Sequence, residues 1–130
     1  MEPPTAAEDT EAQAAVRAVY TDPVTIYGLP LDLGQLVRLV RAAGATYADV
    51  ERQILDVAEG DSKLAVALVL RGHHVGPLRT VLGTVSPSGR WIEMRVIDIL
   101  TLVDGRISNV RMTADELGVL AGIDAITIVA

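Results

Sequence analysis

The 130-residue sequence contains no cysteine and no phenylalanine. The first absence removes disulfides, thiolate metal sites and thiol nucleophiles together, and it suits a reducing compartment without requiring one. The second leaves one Trp and three Tyr as the only aromatics, so a core must be built from Val, Leu, Ile, Ala and Met. Half of the residues are nonetheless hydrophobic. A chain of this length buries roughly two thirds of its unfolded surface, so one domain is expected to fold without metal or disulfide support. Long apolar runs are also missing: the longest, residues 64–70, is strand-sized, whereas a membrane span needs about 20 residues. Basic residues number 11 against 17 acidic ones and form no cluster. Binding a phosphate backbone requires concentrated positive charge, so nucleic acid is not an expected partner. Residues 1–11 lack the basic start and apolar run of a secretory signal, and a cytoplasmic location without membrane contact is expected.

Organisation along the chain follows from periodicity. Residues 1–10 are polar and read as a flexible N-terminus, residues 11–122 as one domain, and residues 123–130 as an apolar tail able to add to an edge or a partner. Good helix formers from Glu11 predict a helix ending near Tyr20, before Asp22-Pro23. Residues 24–27 are β-branched and aromatic and predict a short strand. Leu33, Leu36, Val37 and Val40 recur at helical spacing. Residues 50–58, 63–75, 90–103 and 106–113 then predict strands, joined by turns at Gly60-Asp61 and Asp104-Gly105 and by a Gly/Pro/Ser loop over 76–89. Thr113-Ala-Asp-Glu116 has capping-box spacing before a short final helix. Helices first and a meander after predict an α+β domain in which a curved antiparallel sheet wraps around N-terminal helices.

The chemistry concentrates in residues 91–103. Read with period two, one face carries Ile92, Met94, Val96, Asp98, Leu100 and Leu102, and the other carries Trp91, Glu93, Arg95, Ile97 and Ile99. Asp98 is thus alone among aliphatics, where an ionised, unpaired carboxylate costs more than a raised pKa. That environment suits a general acid or an oxyanion donor. The partner strand sets its surroundings. A two-residue loop at Asp104-Gly105 places Asp98 opposite Arg111, as half of an ion pair; a three-residue loop places it opposite Val110, between Ser108 and Met112. The second register matches apolar to apolar and is preferred.

Asp22, in Tyr20-Thr-Asp-Pro23, is a second candidate acid, or simply an Asp ending a helix before Pro. His73 and His74 point to opposite faces of a strand, so only one of them faces any given cavity. With two histidines and no cysteine, zinc is not expected. His74 is either catalytic or a strand-end histidine bonded to backbone. Arg71, Arg90, Arg95 and Arg111 are expected to solvate the outer sheet face, and Met94 with Met112 to fill core.

Four segments together resemble the SnoaL-like polyketide cyclases of the nuclear transport factor 2-like superfamily: Leu70-Arg-Gly-His-His-Val-Gly76, Pro87-Ser-Gly-Arg90, residues 96–107 and Ala114-Asp-Glu-Leu-Gly118. That superfamily includes ketosteroid isomerase, limonene epoxide hydrolase and the polyether epoxide hydrolases and pyran synthases. The resemblance spans about Tyr20 to Leu120. It implies a cone-shaped fold, usually homodimeric, with a deep apolar pocket and cofactor-independent acid/base chemistry on a polyketide-like substrate: cyclisation, isomerisation or epoxide opening. A non-catalytic binding or dimerisation module of the same fold is the alternative.

By the same resemblance Asp22 takes the place of a catalytic base, Asp98 that of a protonated oxyanion donor, and His74 that of the histidine in a Gly-x-His-x-Gly stretch. The pocket lining expected is Tyr20, Tyr27, Trp91, Met94, Val96, Leu100, Val110 and Met112. The cyclases usually carry an acid on the last strand where this chain has Val110-Arg111-Met112, and Met112 transfers no proton. The aliphatic walls, Val66, Leu68, Val96 and Leu100, are expected to leave an unfilled interior.

Overall fold

The computed structural model describes residues 6–129. Helix α1 (Ala6–Val19) leads into β1 (Tyr20–Ile26), β2 (Leu29–Leu31) and helix α2 (Leu33–Thr46). The meander follows as β3 (Tyr47–Gly60), β4 (Lys63–His74), β5 (Leu78–Thr80), β6 (Gly83–Val85), β7 (Trp91–Val103) and β8 (Arg106–Ala114), and helix α3 (Glu116–Gly122) ends it. α1 therefore begins at Ala6 and not at Glu11. Of the N-terminal segment read as flexible, residues 1–5 lie outside the described residues. α2 starts on a reciprocal cap: Asp32 Oδ1 accepts the Gln35 N–H at 2.8 Å and Gln35 Oε1 accepts the Asp32 N–H at 2.8 Å, which satisfies two of the amides a helix start leaves open. It continues through Gly44 to Thr46, and the chain turns extended at Tyr47.

One six-stranded sheet has the order β2-β1-β8-β7-β4-β3, and β5 with β6 forms a separate hairpin inside the segment expected to be a loop. All neighbours in the large sheet run antiparallel except β1 and β8. Register shifts in β3, at Ala48/Glu51 and Ile54/Asp56, and between β7 and β8 at Thr101/Leu102 are the irregularities that bend and twist a sheet.

The β7–β8 pairing corrects both expected registers. The turn is a two-residue one, with Asp104 at φ 50° and Gly105 at φ 76°, the left-handed pair that a tight hairpin requires. It starts the ladder at Val103↔Arg106. Ser108 is then extruded as a bulge, its hydroxyl donating to the Thr101 carbonyl at 3.2 Å, and the ladder resumes at Thr101↔Asn109. Asp98 consequently faces Met112, not Val110 or Arg111. The bulge restores the parity that the short turn removed, so apolar still meets apolar and Arg111 pairs with Ile99 on the other face.

α3 is capped by Asp115, whose carboxylate accepts the Gly118 N–H at 2.9 Å. Thr113, the cap expected from spacing, is still in β8. Below α3, Ile92, Val119 and Ile123 form a buried cluster packed by Tyr47, Leu78, Val85 and Met94. Val24, Leu36, Val37 and Val96 are buried as well. Each such aliphatic side chain contributes roughly 1.5–3 kcal/mol of burial, and together they fix the helices at one end of the sheet's inner face.

Candidate active site

The other end of the inner face is open. Asp98 lies between Val66 on β4 and Met112 on β8. Its inner-face neighbours by register are Leu68, Val96, Leu100 and Val110. Leu64, Val66, Leu68, Leu100, Val110 and Met112 are all half-buried, so around Asp98 they form an open aliphatic face, the candidate cleft, and not a sealed core. Val96 departs from the expected lining: it is buried in packing, and Met94 packs on the cluster under α3. The expected interior is thus partly filled, and what remains is an open cleft. A separate depression of about 110 Å³, lined by Asp56, Ala58, Ala65, Val66, Ala67 and Ile97, lies mainly on the opposite, outer face of the sheet.

Within the cleft the Asp98 side chain is half-buried, and Oδ1 is shielded from solvent without a hydrogen-bond partner among the described residues. Burial pushes its pKa above the ordinary Asp value of 3.8, because no donor stabilises the charged form. Its charge is felt by the Tyr20 and Tyr27 phenols. Burial raises the Tyr20 phenol, the Asp98 charge raises it further and the Arg52 charge pulls it down. Burial, then Asp98, then Glu116 raise Tyr27. Tyr27 also opens the tight β1–β2 turn at φ 52° and donates its backbone N–H to the Val110 carbonyl at 3.3 Å.

The third tyrosine, Tyr47, is raised by burial and by Glu116. All three tyrosines of the chain therefore sense carboxylates on the inner side. Tyr47, Glu116 and Arg52 were not among the expected site residues. In sequence Glu116 fits a helix cap, and the period-two pattern of β3 that places Tyr47 and Arg52 is broken by its bulges.

Asp22 is exposed, and its Oδ1 accepts the Leu33 N–H at 3.2 Å at the first residue of α2. A carboxylate there satisfies an open helix amide and meets the positive end of the helix dipole. Nothing in the structure couples it to Asp98, whose shift comes from burial.

His74 is fully buried but remote from Asp98. Its cross-strand partner is Tyr47, and eight residues of β4 separate it from Val66, about 26 Å along an extended strand. Both therefore cannot touch the same reacting atoms. Instead His74 ties a corner: Nδ1 accepts the Ser88 N–H at 3.1 Å and lies 2.9 Å from Ser88 Oγ, its backbone N–H donates to the Arg90 carbonyl at 2.9 Å, and its carbonyl accepts the Gly89 N–H at 2.8 Å. With the amide proton pointing at Nδ1, that nitrogen is the acceptor and Nε2 the donor, and Nε2 is buried without a hydrogen-bond partner among the described residues.

Trp91 is likewise removed from the pocket set. It sits on the outer face with its ring 4.7 Å from that of His73, in edge contact. His73 Nδ1 lies 3.2 Å from Asp49. Arg71 bonds Glu93 at 2.9 Å and Arg90 bonds Asp124 at 2.7 Å.

Because the raised carboxyl of Asp98 belongs to the folded state, it has a stability signature. The protonated form is the one the fold favours, so stability falls as pH rises from the unfolded pKa through the folded one. Asp98→Asn removes that ionisation. Its thermal midpoint is expected to exceed wild type at pH 8, with the gap closing as pH drops toward 4. A wild type that is more stable than the variant at pH 8 would contradict this.

A family model described as SnoaL-like polyketide cyclase matches residues 10–123. Solved structures with the same fold include TsrD from Streptomyces laurentii, with 20% identity, a TM-score of 0.75 and coverage of 89% of this chain and 86% of that one. A SnoaL-like polyketide cyclase from Agrobacterium tumefaciens has 14% identity, a TM-score of 0.74 and coverage of 88% and 87%. No curated protein matches the sequence significantly. The expected α+β architecture, a curved sheet with N-terminal helices, is the nuclear transport factor 2-like fold these structures share.

Proposed function

Since the chain belongs to the SnoaL-like polyketide cyclase family, we propose that it is a cofactor-independent acid/base enzyme, a cyclase or isomerase, acting on an apolar polyketide-type intermediate. One observation carries this reading: a carboxyl with its pKa raised by burial, one oxygen shielded and unpartnered, in an aliphatic cleft. Held neutral, Asp98 donates a hydrogen bond to an oxygen that becomes negative when a substrate ketone enolises, an epoxide opens or a hydroxyl leaves. Tyr20, within its field, is the adjacent phenolic donor. A donor placed where charge develops in a dry site stabilises the transition state by several kcal/mol.

Asp22 is the base in this reading, working from the rim of the cleft with the carboxylate oxygen that Leu33 does not engage. Its structural and catalytic duties separate cleanly in Asp22→Asn. The amide keeps an acceptor for the Leu33 N–H, so the thermal midpoint should stay within a degree or two, while base catalysis falls about 10²-fold or more. The assay is α-deuterium exchange into 2-acetylnaphthalene in D2O, followed by NMR. Unchanged exchange assigns Asp22 to the helix start alone.

Met112 favours a second reading, a non-catalytic small-molecule-binding module. It lies directly across from Asp98 and supplies no proton from the strand on which the cyclases carry their acid. Binding of 2-acetylnaphthalene without catalysed exchange would select this reading.

The proposed assembly is a homodimer through the outer sheet face. There Ile97 and Ile99 are 56% and 42% exposed, beside the depression at Ala58, Ala65 and Ala67. Acidic Glu51 and Asp56 lie toward the β3 side, and Arg95 and Arg111 toward the β8 side. A two-fold axis between these borders sets opposite charges against each other. Light scattering should give twice the 13.8 kDa chain mass for wild type and the single mass for Ile97→Asp; a monomeric wild type refutes the assembly.

A further inference from the structure

Arg52 is the one Lys or Arg on the inner face of the sheet among the described strand residues. The pairs Arg52↔Leu70, Ile54↔Leu68 and Val57↔Val66 put it on the face of β4 that borders Asp98, while Lys63, Arg71, Arg95, Arg106 and Arg111 fall on the other face. Its surroundings on β3 are exposed and apolar: Ile54 and Val57 both face the open cleft. Arg71 and Arg90 use their charges on Glu93 and Asp124, and Arg52 has no such ion pair among the described residues.

Its position relative to the acid follows from register. Leu70, across from Arg52, is four residues along β4 from Val66, across from Asp98, about 13 Å. Both side chains stand on the same face of the sheet. The Tyr20 phenol responds to both charges, being raised by Asp98 and lowered by Arg52.

We propose that Arg52 binds a carboxylate at the mouth of the cleft, so that the substrate is an apolar ring system or chain with an acidic end. The proposal rests on the cleft being the substrate site, as proposed above, and adds the substrate class. A planar guanidinium matches a carboxylate through two parallel N–H···O bonds. It also supplies local attraction in a chain of net charge −6, whose overall field repels acidic ligands. A neutral Asp98 is compatible with such an anion, whereas an ionised one would repel it.

The test compares 6-hydroxy-2-naphthoate with its methyl ester by calorimetry on the full chain. The phenol can reach Asp98 and the carboxylate Arg52 from opposite ends of a rigid bicycle. Wild type should bind the acid about tenfold more tightly than the ester. Arg52→Gln should bring the two affinities together by weakening only the acid, and Arg52→Lys should restore part of the preference. Equal affinities in wild type, or a preference that survives Arg52→Gln, overturn the proposal while leaving the cleft assignment in place. Failure of either ligand to bind overturns both.

Discussion

Asp98→Ala is expected to lower catalysed α-proton exchange about 10²–10³-fold, the typical cost of removing one preorganised donor from a developing oxyanion. The reasoning starts from parity. Asp98 shares the inner face with Leu100 and Val96 and is flanked by Val66 and Met112, and none of these can solvate a carboxylate. The carboxyl is therefore driven toward its neutral form, which is the form able to donate. Asp98→Asn retains an N–H donor at the same place but not the acidic proton, so its activity should fall between alanine and wild type. A pH profile separates the two contributions: with wild type the activity that depends on the protonated acid declines as pH rises through the raised pKa, and with Asp98→Asn that limb disappears. If Asp98→Ala retains wild-type exchange, the carboxyl is a structural accident of the strand.

Gly76→Ala carries the largest expected cost to folding. Gly76 is buried at the corner where β4 leaves the sheet, and the amides of Val75 and Gly76 both donate to the Thr46 carbonyl at 3.0 Å, which ties the end of α2 to the end of β4. A methyl group on Gly76 would collide with the backbone carbonyl of Ala45, and backbone cannot rotate away as a side chain can. The hydrogen bonds must stretch or the helix end must move. A cost of about 2–4 kcal/mol follows, on the order of 10 °C in the thermal midpoint for a domain of this size. Calorimetry checks it, and a midpoint within two degrees of wild type would show that the corner yields. Gly76 closes the Gly72-His-His-Val-Gly76 segment, and close packing of a helix end with a pinned histidine accounts for it.

Much of the architecture was legible because its signals are periodic. The alternation in residues 91–103 set the face of Asp98 correctly, and of the helical stripe Leu33, Leu36, Val37 and Val40, Leu36 and Val37 are the buried side of α2 while Val40 is exposed. Register was not legible. The turn at Asp104-Gly105 determines the first pair of the ladder, but the Ser108 bulge two residues later is held by a single hydroxyl-to-carbonyl bond, and serine has no composition signal that separates a bulge from a regular strand position. The β5–β6 hairpin was hidden for a similar reason: three-residue strands in a Gly/Pro/Ser segment look like loop.

The candidate site was legible only in part. Asp98, Leu100, Val110 and Met112 follow from strand faces and share the inner face, whereas Tyr20 and Tyr27, whose phenols respond to Asp98, were reached through their sequence neighbourhood of Asp22. His74 was placed beside Asp98 by the family resemblance alone, which says nothing about distance along a strand, and eight residues separate their rows. Trp91 was grouped by proximity in sequence to Asp98, against the alternation that places it outside. Asp22 lies where expected, after the first helix, but its contact with Leu33 is a tertiary one across eleven residues that no local pattern announces. Arg52 and Glu116 were missed because each also fits an ordinary solvent-exposed role.

The central claim is that Asp98 is an acid made poised by burial. Titration of its side-chain carboxyl carbon by NMR, assigned by comparison with Asp98→Asn, measures that directly. The account predicts a midpoint clearly above the ordinary 3.8; a midpoint at or below that value would mean that the charged form is stabilised in the fold, and the proposed role of Asp98 would fail.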